Sequence, residues 1–208
     1  MPAPDVIVAF FCASFLLGLS PGPDIIFVLT QAALRGSLAG VMTTCGLMTG
    51  VSLQTLAVAA GVAVLLKSSP AAFMALKLLG CAYLLWLAWL EWRSVKNGVI
   101  VGRAEFAGHA ALYRRGIIMN LTNPKVCLFF LAFLPQFCDP SRGPVFWQII
   151  FLGFLFIVAS SLVFIGVSLL GGRLAEWLKR NGRAEILIHR AAALIYVGLA
   201  VALVVAEI

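Results

Sequence analysis

The chain has 208 residues, 62% of them hydrophobic and 11% charged, against about half and about a quarter in soluble domains. A water-soluble fold of this size could not cover so much apolar surface, so the composition excludes a soluble enzyme or binding domain and points to an integral membrane protein. The formal net charge of +7 is spread over the connections between apolar runs, where anionic lipid accounts for it without any nucleic acid.

A helix needs about 20 apolar residues to cross a hydrocarbon core about 30 Å thick. Six runs suffice, at about 6–33, 40–66, 71–92, 117–138, 145–171 and 186–206, which predicts an all-α protein of six transmembrane helices. The runs are continuously apolar rather than alternating, which argues against a β-barrel. The first lacks the basic region and cleavage site of a signal peptide, and is expected to remain in the mature protein.

That first run contains "LLGLSPGPDIIFVLT". Proline removes a backbone donor and clashes with the preceding turn, and Gly22 between Pro21 and Pro23 adds backbone freedom. The helix should therefore open near mid-membrane, with the break turned toward protein or water that can satisfy its backbone. Asp24 follows at once, and an ionisable group at that depth is a functional-site signal.

The second run carries two small-residue pairs, Gly36 with Gly40 and Gly46 with Gly50, spaced to let helices approach closely. Thr44, Ser52 and Thr55 fall on one side of it, with Gln54 adjacent. Their hydroxyls either bond to their own helix and serve packing, or line a cavity. The third run ends in Trp92, a candidate interfacial anchor, as are Trp147 and Trp177.

The connection from about 93 to 116 is the one substantial polar segment. It holds Arg93, Lys96, Arg103, Arg114 and Arg115, while Arg173, Lys179, Arg180, Arg183 and Arg190 follow the fifth run and Arg35 the first. The remaining two loops offer little more than Lys67 and Arg142. The positive-inside rule then places the basic loops in the cytoplasm and both termini outside. "RLAEWLKRNGR" after the fifth run reads equally as a short surface helix or a solvated basic loop.

The fourth run opens with "NLTNPKVCLFF". Pro124 breaks it, Lys125 sits where Asp24 sits in the first run, and Asn120 and Asn123 flank the break. Pro23 maps on Pro124, Arg35-Gly36 on Arg142-Gly143, and Lys77 with Tyr83 on Arg190 with Tyr196. The chain thus divides into two repeats of three spans, about 6–92 and 117–206, within a single membrane domain. An odd span number inverts the second repeat relative to the first, an arrangement common among secondary transporters. Asp24 and Lys125 would then converge at the repeat interface, either as a buried pair or flanking a polar site for a zwitterion or a coupled proton.

Other chemistry has little support. Cys12, Cys45, Cys81, Cys127 and Cys138 form no CxxC pair, so they read as packing residues rather than zinc ligands or a dithiol. His109 and His189 read as loop or interfacial residues. No metalloprotease, Walker, nucleophile-elbow or dinucleotide motif is present, so no enzyme, metal site or cofactor is expected.

On "LSPGPD", the Arg-Gly step with its glycines, "KLLGCAYLLWLAW" and "NLTNPKVCLFFLAFLPQF", the chain resembles the LysE/RhtB family of bacterial amino-acid exporters over essentially its whole length. The resemblance implies a bacterial inner-membrane protein that exports amino acids or derivatives, driven by the proton motive force, in a family whose members often form dimers. The family's motif residues fall on Pro21, Gly22, Pro23 and Asp24, and on Asn123, Pro124 and Lys125. The expected function is a secondary exporter of amino acids or similar zwitterions working by alternating access. The alternatives are an ion or small-metabolite channel and a membrane thiol-disulfide carrier.

Overall fold

A computed structural model describes residues 1–68, 70–93 and 108–205, and among them there is helix but no strand. Lys96 and Arg103 fall outside the described residues, as do the side chains of Lys67 and Lys179.

The first predicted span is two helices, α1 (Pro4–Leu19) and α2 (Pro23–Arg35), bent by 57° where Pro21, Gly22 and Pro23 interrupt the backbone. α3 (Ser37–Ser68) and α4 (Pro70–Arg93) complete the first half. The fourth predicted span is again a bent pair, α5 (His109–Thr122) and α6 (Pro124–Leu128), at 51°. α6 runs on as a π turn, Phe129–Phe133, and a 3-10 turn, Leu134–Phe137. Pro135 has no N–H to give to the carbonyl four residues back, so the helix loosens around it. A short turn at Pro140–Arg142 leads into α7 (Val145–Arg180) and then α8 (Gly182–Val205). Among the described residues, four helices are long and apolar enough to cross a bilayer, and up to six spans result when each bent pair counts as one.

Three expectations need correction. α5 begins at His109, so the polar connection is shorter than 93–116, and His109 is a helix residue. "RLAEWLKRNGR" is neither a separate surface helix nor a loop, because α7 continues unbroken to Arg180 and stops at Asn181, whose amide caps the Trp177 carbonyl at 3.0 Å. The Gly171-Gly172 pair does not end the helix, since Gly171 lies in close contact with Ala32 of α2, where a Cβ would not fit. Gly36 is a turn residue rather than a packing contact. Its φ is +88°, and a Cβ there would meet nothing.

Gly143 has φ +127° in the turn before α7, so the two positive-φ residues among those described both follow an arginine at matched places in the two halves. α3 packs on α5 and α7, α4 on α8, and α1 and α2 on α7. Small residues set these distances. Gly40 abuts Ser168 and Ala32, Gly50 abuts Asn120, and α3 crosses α5 where Gly46 meets the Tyr113 carbonyl and Gly116 meets that of Thr43. Gly46→Ala forces these two helices apart, and an overpacking cost of about 1–3 kcal/mol should appear as a lower unfolding temperature in detergent. The α3 hydroxyls bond to their own helix: Thr44 to Gly40, Ser52 to Met48 and Thr55 to Val51, at 2.8–3.0 Å. That is the packing arrangement.

Two apolar layers lie either side of the breaks. One is built from Phe10, Phe129, Phe130, Phe133 and Phe156, with ring centroids 4.8–6.1 Å apart. The other holds Val28, Leu47, Val163 and Phe164. Leu78, Leu79, Phe154, Leu162, Leu169, Leu187 and Leu194 point outward and exposed, a surface suited to lipid. The terminal ammonium of Met1 bonds the Arg142 carbonyl at 3.2 Å, so the N-terminus and the loop before α7 share one side.

Candidate functional site

Interrupting a helix inside an apolar bundle strands backbone groups on each side, and unpaired ones there cost several kcal/mol each. Their partners define the site.

At the first break, Ser20 closes α1 by donating its N–H to Leu16. The carbonyls of Leu17 and Ser20 are both taken by the Lys125 ammonium, at 3.0 Å each. Lys125 lies in the first turn of α6, where a helix dipole disfavours a cation. It reaches instead to the C-terminal end of α1, where the dipole favours one. It passes beside Gly22, where a Cβ would stand 3.4 Å from Nζ, in ordinary contact. The ammonium also lies 5.5 Å from the Tyr196 ring centroid. Tyr196 braces the same break from α8: its hydroxyl accepts from Ser20 Oγ at 2.5 Å and donates to the Pro21 carbonyl at 3.5 Å. Tyr196→Phe deletes both bonds, and an expected loss of about 1–2 kcal/mol can be read by thermal unfolding.

At the second break the donors are neutral. Asn123 caps α6, its Oδ1 accepting from the Lys125 amide at 3.0 Å. The Asn120 carbonyl receives the Asn123 amide at 3.0 Å and the Gln54 side chain at 3.1 Å, and the Cys127 thiol donates to Leu121 at 3.4 Å. Gln54 is therefore the α3 polar residue that leaves its own helix for the break.

Asp24 stands in the first turn of α2, on the favourable end of that dipole. Asn123, Lys125 and Asn120 are its polar neighbours, yet no ion pair within 4.0 Å joins it to Lys125. The pairing expected of them is thus indirect. Asp24 is 5% exposed, and its Oδ1 has no hydrogen-bond partner among the described residues. The same holds for Asn120 Oδ1 and Ser160 Oγ, each side chain 1% exposed. Asp24, Asn120, Asn123, Lys125 and Ser160 line one cavity, closed by Leu17, Met48, Phe156 and Phe164. Its space, about 20 Å³, suits a single water.

A broken first span, a broken fourth span and a buried polar chamber between them describe a machine for moving solutes rather than bonds. A family model described as "LysE type translocator" matches residues 15–207. The chain belongs to the LysE type translocator family. As a translocator it is a transporter, not an enzyme. It is 36% identical over 171 residues to a homoserine/homoserine lactone efflux protein of Salmonella typhimurium, covering 82% of each chain. The Salmonella typhi protein of the same name is 35% identical over the same span. An uncharacterized membrane protein of Pseudomonas aeruginosa is 34% identical over 195 residues, covering 91% of this chain and 90% of its own. No solved structure matches.

The translocator's structure gathers Asp24, Lys125, Asn123 and Asn120 at one place, with Pro21, Gly22, Pro23 and Pro124 making the breaks. Sequence reasoning missed Ser160 and the brace from Ser20 to Tyr196. Ser160 and Ser161 form a hydroxyl pair inside the fifth run, a signal that was there to be read. His189 reads in the sequence as a loop or interfacial residue, and its bond to Glu91, 2.5 Å long between α8 and α4, was missed. That pair holds a seam that Arg190 continues, with its guanidinium 5.7 Å from the Trp92 ring centroid.

Proposed function

We propose that this translocator exports amino acids or closely related zwitterions across the bacterial inner membrane by alternating access. The observation that carries the reading is Asp24: a buried carboxylate with an uncommitted oxygen, in a small chamber between two helix breaks. The names of the Salmonella relatives support the cargo class. A chamber with room for one water is too small for an amino acid, so cargo must enter a form in which one apolar layer has parted. The two layers then act as gates, the phenylalanine cluster on one side and the Val28–Phe164 cluster on the other.

We assign the motion to two inverted halves, α1–α4 and α5–α8, rocking about the seams where α3 meets α7 and α4 meets α8. Each of those helices packs on its own counterpart, as an axis between inverted repeats requires. The energy source we assign is the proton motive force, with Asp24 as the group that carries the proton. Both termini are assigned to the periplasmic side from the arginine distribution of the loops, and a homodimer is the assembly the family leads us to expect. The test is efflux from cells preloaded with labelled amino acids, with and without overproduction of the protein. Faster, saturable efflux that collapses with a protonophore is expected; unchanged efflux across the whole amino-acid panel overturns the reading.

A further inference from the structure

We infer that the chamber recognises the cargo's ammonium group and leaves its carboxylate unread, so that amines lacking a free carboxylate are also cargo. The inference rests on the export reading above and assigns the chemistry of the same site.

The walls decide it. Every uncommitted polar oxygen on them is an acceptor: Asp24 Oδ1, Asn120 Oδ1 and Ser160 Oγ, the last able to donate as well. An ammonium brings three N–H donors, and one of these three oxygens belongs to a carboxyl group that can meet it with a negative charge. The single cation on the lining is Lys125, and its ammonium is held by the Leu17 and Ser20 carbonyls. A carboxylate drawn into the chamber would face Asp24, while the one opposing charge is bound elsewhere. Taking Lys125 for cargo would strip two carbonyls at the α1 terminus. Asn123 also lines the chamber, its Oδ1 taken by the Lys125 amide, and Leu17, Val51, Met48, Phe156 and Phe164 offer apolar contact.

The named cargo of the Salmonella relatives has the same common denominator. Homoserine carries an ammonium and a carboxylate. In its lactone the carboxyl is tied into a neutral ring ester and the amine remains. What the two molecules share is the cationic end.

The experiment is competition for labelled homoserine uptake into inside-out membrane vesicles, with unlabelled homoserine, homoserine lactone and N-acetylhomoserine as competitors. The lactone should inhibit within about threefold of homoserine, and the N-acetyl compound at least about 30-fold more weakly, the loss expected when hydrogen bonds to a charged group cannot form. Ser160→Ala should weaken homoserine and lactone alike by about fivefold, the effect of one hydrogen bond. Its unfolding temperature should not fall, because that hydroxyl has no partner among the described residues. Inhibition by N-acetylhomoserine but not by the lactone overturns the inference and leaves export standing. Absence of saturable uptake for homoserine and for a panel of other labelled amino acids overturns export, and the inference with it.

Discussion

Lys125→Met is expected to destabilise the protein by about 2–6 kcal/mol, as two buried carbonyls lose their partner at about 1–3 kcal/mol each. The substitution keeps the aliphatic stem and removes only the ammonium, so packing around Val126 and Tyr196 is preserved. What changes is the end of α1, where Leu17 and Ser20 lose the donor that closes them. The unfolding temperature in detergent should drop clearly, and transport should fall with it. The contrary result is informative. A full-strength fold with a raised KM alone would mean that Lys125 binds cargo instead of capping a helix.

Asp24→Asn should behave in the opposite way. The side chain is nearly isosteric, and one carboxylate oxygen has no partner to lose. Removing a buried charge relieves a desolvation penalty, so the unfolding temperature is expected to hold or rise. Transport, by contrast, should fall by at least about 100-fold, since the group proposed to hold cargo and proton is gone and hydrogen bonds to charged groups are the strong ones. The two substitutions thus separate the roles that one glance at an opposite-charge pair would merge. Lys125 is expected to act through the fold, Asp24 through the cargo.

Much of this was legible because it is local. Pro-Gly-Pro and Asn-Pro break helices wherever they stand, so both interruptions could be placed from residue types alone. The six spans follow from run length. The Arg-Gly steps can be matched between the halves, but Gly36 reads in the sequence as a packing residue, and its positive φ, like that of Gly143, shows a turn. Partners across the bundle were not legible in the same way. Nothing in "NPK" says that its lysine will leave its own helix terminus and seat on carbonyls 105 and 108 residues away. The Ser20–Tyr196 bond spans 176 residues and Glu91–His189 spans 98, distances over which spacing carries no information. The length of α7 was misjudged for a related reason. The apolar run ends at about 171, but the helix does not, and Gly171 is the place where Ala32 comes close.

The consequence is a more asymmetric site than two matched motifs suggest. The first break is closed by a charged donor and braced by Tyr196, and the second by the neutral donors Gln54, Asn123 and Cys127. Opposite charges at equivalent positions are therefore not two halves of one ion pair. One finishes the structure, and the other is left with an oxygen to spare.

The most direct measurement is counterflow of labelled homoserine in proteoliposomes, comparing wild type with Asp24→Asn at matched reconstitution. Saturable exchange is expected of wild type and none above protein-free liposomes of the variant, whose unfolding temperature should be no lower than that of wild type. Exchange by Asp24→Asn at the wild-type rate would contradict the role assigned to Asp24.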